Sequence, residues 1–301
     1  MVMQNYDPGK VDTKDVAKET RKQLIVIRHA ESTWNEVFNR SLDWRWPLRV
    51  LYVVAVECAI FVKNDSLFID APLSHVGINQ AQKLQDHLFD RDSTELSTQE
   101  LILRNGKGTL LVSSPLRRCI ETLTVGLFPR LNKGSDKVVL LSHLQELTGN
   151  VDGMSLCGAC EIPPVSTTIR TYGRSKGRVE NWEEWFAQRL EPYYKQGFKP
   201  SLVRGDSRIH AFVEWLFSSA CEAHANVVVS GHSLWLRHFF ATFLPRDSIH
   251  PAKTYKVKNS GAIAFDFVKY EMNDGTIRYR IETDSITIVY GGFEVPVNKR
   301  L

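Results

Sequence analysis

Four short apolar runs set the terms for any fold of this chain: LIVI at 24–27, TLLV at 109–112, KVVLL at 137–141 and NVVV at 226–229. Each is too short for a helix, rich in Val, Leu and Ile, and without the apolar–polar alternation of a strand that has one wet face. Each therefore reads as a strand covered on both sides. Between the runs the period changes. Residues 73–89 place Ile78, Ala81, Leu84, Leu88 and Phe89 on one helical stripe, and 180–190 and 209–223 behave similarly. Buried strands alternating with amphipathic helices predict an α/β protein with a doubly wound, mostly parallel sheet. Beyond residue 260 the texture becomes AIAFDFV, TIRYRIE and SITIVY, with Asn273, Asp274 and Gly275 at a turn. This pattern adds antiparallel strands at the C-terminal end of the chain.

No linker divides the 301 residues, so a single elaborated domain is expected over 23–301, preceded by a mobile N-terminal tail, 1–22, that is charged and poor in apolar residues. Segments 36–69 and 152–176 read as insertions, the second as a surface excursion because Gly, Pro, Ser and Thr cluster there. Within the first, VLYVVAVECAIFV at 50–62 contains Glu57 and falls short of the roughly 20 residues a membrane span needs. It is expected to form a buried helix rather than a surface-seeking segment, although WRWPLR before it would supply aromatic and basic anchors for the latter.

The formal net charge of +4 is too small and too evenly spread to argue for nucleic-acid binding, but it suits a small anionic substrate. Five scattered cysteines do not make a disulfide framework and point to a reducing compartment. Cys157 and Cys160 form a C-x-x-C without the second half that a zinc site requires, so neither a metal nor another cofactor is expected. The opening MVMQNYDPGK lacks the apolar core of a signal peptide, so a cytoplasmic location is expected. Oligomeric state is not readable.

In an open parallel sheet, ligands bind beyond the carboxyl ends of the strands. The residues just after each run are therefore informative: Arg28 and His29 after LIVI, SSPLRRCIET with Arg117 and Arg118 after TLLV, His143 and Glu146 after KVVLL, and SGHS with His232 after NVVV. Ser114 followed by Pro115 reads as a helix N-cap and first helical residue, and Ser233 as a cap for the helix LWLRHFFATF. Cations, imidazoles and helix N-termini converging on one crevice suit a dianionic phosphate. A histidine can attack phosphorus directly when its second ring nitrogen is held by an acceptor such as a backbone carbonyl, which makes His29 the candidate nucleophile. Arg28, Arg118 and His232 are then candidate donors to the equatorial oxygens, and Glu146 a candidate proton donor to the leaving oxygen and base toward water.

These segments resemble the histidine phosphatase superfamily, the phosphoglycerate mutase-like group. RHAEST with Asn35 resembles its R-H-G-E-[ST] opening, DAPLSHVGINQAQKL its D-x-P-L-[ST]-x-x-G-x-x-Q-A segment, SSPLRRCIET its S-x-L-x-R-A-x-x-T pattern, LQELTGNVDG its acid segment and SGHS its second histidine. The matches occur in family order between about 24 and 265. The resemblance implies a three-layer α/β/α sandwich, phosphorylation of His29, Arg118 rather than Arg117 as phosphate ligand, Glu146 as the acid, and Asn35, Ser32 and the cap residue Ser233 as contributors to phosphate binding. Arg117 is expected to tolerate replacement, and His143 could touch substrate or serve the strand end. Ala30 stands where the family has Gly, and Ser233 where many members have Gly. No mutase-type substrate segment follows Glu146. The expectation is a metal-independent, histidine acid-type phosphatase acting on a phosphomonoester; the alternatives are a phosphomutase and a non-catalytic phospho-ligand binding protein.

Overall fold

The run LIVI is the inner end of a longer strand. The structure, a computed structural model, describes residues 11, 13–39, 44, 46–60, 65–176, 179–197 and 205–294. Residues 1–10 and 12 of the expected tail, and 40–43, 45 and 61–64 of the first expected insertion, lie outside that set. In chain order the elements are β1 (Val16–Arg28), α1 (Trp46–Ile60), α2 (His75–Phe89), α3 (Thr98–Asn105), β2 (Leu110–Ser113), α4 (Arg117–Gly126), α5 (Phe128–Lys133), β3 (Val138–Leu140), α6 (Thr167–Lys176), α7 (Trp182–Arg189), β4 (Leu190–Glu191), α8 (Gly205–Leu216), β5 (Asn226–Gly231), α9 (Ser233–Phe243), β6 (Ala262–Met272), β7 (Ile277–Ile281) and β8 (Thr287–Tyr290).

Among the described residues the strands form one sheet in the order β4-β3-β2-β5-β1-β6-β7, with β8 paired to β6. Pairs from β4 to β1 are parallel, and those involving β6 are antiparallel. Each central strand is apolar on both faces. Ile25, Ile27, Leu111, Val138, Leu140 and Val228 enter one core with helices α2, α4, α5, α6 and α7. Leu24, Val26, Val112, Val139, Val227 and Val229 enter the other, under α8 and α9. The α/β sandwich with a mostly parallel sheet and antiparallel C-terminal strands is thus the observed architecture.

Four expectations change. Residues 16–22 belong to β1 rather than to a tail, because their charges find lateral partners on both sides: Arg21 reaches Asp266 on antiparallel β6 at 2.9 Å, and buried Lys22 donates to the carbonyls of Cys221 and His224 ahead of β5. The 152–176 segment is not a surface excursion, since Asp152, Ser155 and Val165 are buried and α6 places Ile169 and Tyr172 in the core. The apolar helix α1 buries Val53 but exposes Leu48, Leu51 and Val54. The helix read over 209–223 stops at Leu216, where the Ser218 hydroxyl donates to the Trp215 carbonyl and competes with a further turn.

One glycine matters to the site. Gly77 lies in the first turn of α2, capped by Ser74, and a Cβ there would sit 2.0 Å from the Glu31 carbonyl oxygen. Its absence lets α2 press against the loop that follows His29.

Candidate active site

The pairing of β1 with β5 places the two histidines together. Arg28 stands opposite Gly231 in the parallel register, and the His29 N–H donates to the Gly231 carbonyl at 3.0 Å. The residues that follow the two strands are therefore His29 and His232, whose ring centroids lie 5.1 Å apart at 60°. Strand β2, on the other side of β5, ends at Ser113, and Ser114 bonds back to Ser230. Insertion of β5 between β2 and β1 is what opens the crevice.

His29 is buried, and its Nδ1 lies 2.6 Å from the Ala30 carbonyl oxygen. A carbonyl oxygen can only accept, so Nδ1 carries the proton and Nε2 keeps its lone pair. Burial, then the charges of Arg118 and Arg28, hold the imidazole well below its ordinary pKa, against the opposing pull of the Ala30 carbonyl. Ala30 has a negative φ, so its methyl imposes no left-handed strain; its N–H donates to Thr122, whose hydroxyl donates to the Arg118 carbonyl.

Arg118 and His232 approach from the neighbouring strand ends. The Arg118 guanidinium is buried and donates to the Asp152 carbonyl at 2.7 Å, with the Asp152 carboxylate 3.5 Å away. His232 Nε2 lies 2.8 Å from the Ser114 hydroxyl and 3.3 Å from the Cys119 sulfur. The cap readings are corrected here. Ser114 holds His232 rather than capping a helix; α4 begins at Arg117 with Leu116 in the cap position and no side-chain cap bond. Likewise His232 occupies the cap position of α9, without a side-chain cap bond, and Ser233 is its first helical residue. The Ser114 hydroxyl also accepts the Leu116 N–H at 3.4 Å, one residue short of the helix it was expected to cap.

Glu146 faces the start of α9. Its Oε1 accepts from the N–H of Leu147 at 2.9 Å and of Trp235 at 3.2 Å. Burial nonetheless raises its carboxyl above the ordinary range, over the opposing effect of these donors and of Arg118. Ser32 is buried, bridges to Leu73, and its hydroxyl accepts the Asn35 N–H at 3.3 Å as a π-helical turn, Asn35–Asn39, begins. His143 sits in a turn after β3, with its imidazole lowered mainly by burial, and its carbonyl accepts the Trp235 indole N–H.

Arg28 is engaged rather than open. Its Nη1 donates to the Val257 carbonyl at 2.6 Å and to the Glu294 carboxylate at 2.5 Å. Glu294 stands 266 residues away in sequence, and no local signal announces it. Asp152, Cys119 and Ser114 also escaped sequence reasoning as neighbours of the site, although all three lie inside recognised segments.

Arg117 corrects an expectation outright. It is buried, its backbone N–H and Nε donate to Asp70, Nη1 pairs with Asp65, and Nη2 donates to the Ser66 carbonyl. Asp70 has φ 52° and Arg117 clamps that left-handed residue to the base of α4. Beside them Glu121 is buried, pushed up to about 7 by burial and only partly restrained by Arg117, and accepts the Leu73 N–H.

Some solved structures are similar to this chain at low identity. The likeness is to two phosphatases and a phosphoglycerate mutase. The phosphoglycerate mutase from Bacillus anthracis matches with 17% identity and TM-score 0.43, covering 88% of this chain and 92% of that one. A putative alpha-ribazole-5'-P phosphatase from Escherichia coli matches with 17% identity and TM-score 0.40, covering 91% and 99%. A mycobacterial glucosyl-3-phosphoglycerate phosphatase matches with 16% identity and TM-score 0.39, covering 87% and 97%. No protein-family profile and no curated protein matches the chain.

Proposed function

We propose that the protein is a phosphomonoester hydrolase of the histidine phosphatase type, working through a phosphohistidine on His29. The observation that carries this reading is the bond from His29 Nδ1 to the Ala30 carbonyl, which leaves Nε2 as a neutral nucleophile 5.1 Å, ring to ring, from His232 and under the influence of two arginines.

In the first step the Nε2 lone pair forms a bond to phosphorus as the bond to the ester oxygen breaks in line. Glu146 gives its proton to the departing oxygen. Arg28, Arg118 and His232 offset the charge on the non-bridging oxygens, the work that dominates phosphoryl transfer. In the second step the Glu146 carboxylate takes a proton from water, whose oxygen attacks phosphorus and breaks the P–N bond. Phosphate leaves and His29 is restored. Ser32, Asn35 and Ser233 are assigned to the phosphate loop and the α9 start, where backbone N–H groups favour an anion.

Release of inorganic phosphate from an aryl phosphate, with chelator present and no bisphosphate primer added, tests the reading. Phosphate transfer to a second position on the substrate, with none released, would make the protein a phosphomutase instead.

Glu146→Gln is expected to slow alkyl phosphates by about 10²–10⁴-fold but aryl phosphates much less, since only poor leaving groups need the proton. Equal losses on both would remove Glu146 from the role. The pH profile is set by the directions of the shifts. His29 is lowered, so its neutral, attacking form persists as pH falls, and the acid limb of kcat lies below pH 6.5. Glu146 is raised, so its acid form persists as pH rises, and the basic limb for alkyl phosphates lies above pH 4.5 and vanishes in Glu146→Gln.

The Arg28–Glu294 pair sets up a further measurement. An incoming phosphate must share or displace the Glu294 carboxylate, which is 47% exposed. Glu294→Gln is expected to tighten inhibition by inorganic phosphate up to about fivefold, the measure of a partly exposed ion pair, with little change in kcat.

A further inference from the structure

Helix α1 has apolar residues where a surface helix has polar ones. At 100° per residue, Leu48, Leu51, Val54, Ala55, Cys58 and Ala59 fall on one outward arc, and all are exposed: Leu48 58%, Leu51 65% and Val54 44%. Apart from the weakly polar Cys58 thiol, no hydrogen-bonding or charged side chain belongs to this arc. Trp44, just before the helix, is 76% exposed. The inner side is fixed: Val53 is buried, and Glu57 accepts from the Ser66 hydroxyl at 2.5 Å and from the Leu67 N–H at 2.6 Å. Helix α1 has 15 residues, and among the described residues no helix is long and apolar enough to cross a membrane.

Helix α1 also contacts the segment that leads from the candidate site. The turn Asn35–Asn39, which follows the His29 loop, packs on α1. There Trp34, Phe38 and Phe68 form a partly exposed aromatic cluster, with centroid separations of 4.4 Å, 6.1 Å and 6.3 Å. The same Ser66 that anchors Glu57 also accepts from Arg117, the neighbour of Arg118. The aromatic cluster thus sits on the segment that joins the His29 loop to α1.

We infer that the outward face of α1 seats on the headgroup–hydrocarbon boundary of an anionic bilayer and delivers to the site a phosphomonoester bearing a hydrocarbon tail, guided by Trp34, Phe38 and Phe68. The substrate half of this inference rests on the phosphatase reading; the docking half does not. Three observations favour a bilayer over a second copy of the chain. The strip is about 22 Å long and about 10 Å wide, far below the ~800 Å² per partner of a stable interface. It carries almost none of the hydrogen-bonding groups that protein interfaces place every 100–200 Å² or so. Trp44 at the helix entrance suits the headgroup level, and the arginines near it in the sequence, Arg45 and Arg49, suit an anionic surface.

The test uses the full chain, vesicles of phosphatidylcholine with or without phosphatidylserine, and the double variant Leu48→Glu/Leu51→Glu, whose positions are already exposed. The wild type is expected to sediment with the mixed vesicles. The variant should lose at least about 100-fold in partitioning, two leucines' worth of burial, while its turnover of a soluble aryl phosphate is unchanged. Hydrolysis of phosphatidate incorporated into the mixed vesicles should fall with the binding. No sedimentation of the wild type, or undiminished sedimentation of the variant, overturns the docking. A wild-type dimer that the variant converts to monomer, without vesicle binding, makes the face a subunit interface. Vesicle-bound wild type that hydrolyses aryl phosphate but not phosphatidate overturns the substrate assignment. Vesicle binding with no aryl phosphate turnover refutes the phosphatase reading and leaves the docking intact.

Discussion

His29→Ala is expected to lose phosphate release from an activated aryl phosphate by at least about 10⁴-fold, because a covalent route has no partial form and the groups that serve it act as a unit. The aryl leaving group needs little help, so nothing else in the site can compensate. The side chain is buried but its hydrogen bond to the Ala30 carbonyl is local, so the fold should survive. A second readout separates nucleophile from bystander: wild-type protein quenched during turnover should carry phosphate that is stable to alkali and lost in acid, and the variant none. Retained turnover in His29→Ala would end the phosphohistidine mechanism.

The adjacent arginines should fail in opposite ways. Arg118→Ala is expected to cost about 10²–10³-fold in kcat, the loss of a donor fixed beside the transferred group, and it leaves the Asp152 carboxylate to repel an anion. Arg117→Ala removes the partner of Asp65, the Nε bond to Asp70 and the bond to Ser66, all in the interior. Only the backbone bond to Asp70 survives, and the change should destabilise the protein by about 3–5 kcal/mol, the cost of stranding a buried charge. Thermal unfolding should show a larger drop in Tm for Arg117→Ala, which strands Asp65, Asp70 and Ser66, than for Arg118→Ala, which strands Asp152 alone. If Arg117→Ala keeps its Tm and loses turnover, the two assignments are exchanged.

The reading of Arg117 shows where local sequence stops informing. Its position beside Arg118 announces a cation, but its partners Asp65, Ser66 and Asp70 come from about 50 residues upstream, and only folding brings them together. Glu294 on Arg28 and Asp152 on Arg118 are the same kind of fact. Cap residues misled for a related reason: Ser114 satisfies the local rule for a helix start, yet a buried imidazole 118 positions away takes its hydroxyl. In β1, the charges of 16–22 look like those of a solvated tail until β6 supplies the opposite strand.

The sequence by itself determined the strands and the chemistry at their ends, because a run apolar on both faces has only the middle of a sheet to go to, and the residues after it must emerge at the rim. Arg28, His29, Glu146 and His232 were legible as strand-end residues on that ground, whereas the choice of Arg118 over Arg117 came from the family resemblance. Only the tertiary structure decided which charges are spent on holding the protein together, which face the crevice, and that α1 turns apolar residues outward. Those outcomes depend on contacts between distant segments, where burial and pairing are set by geometry that no short stretch of chain contains.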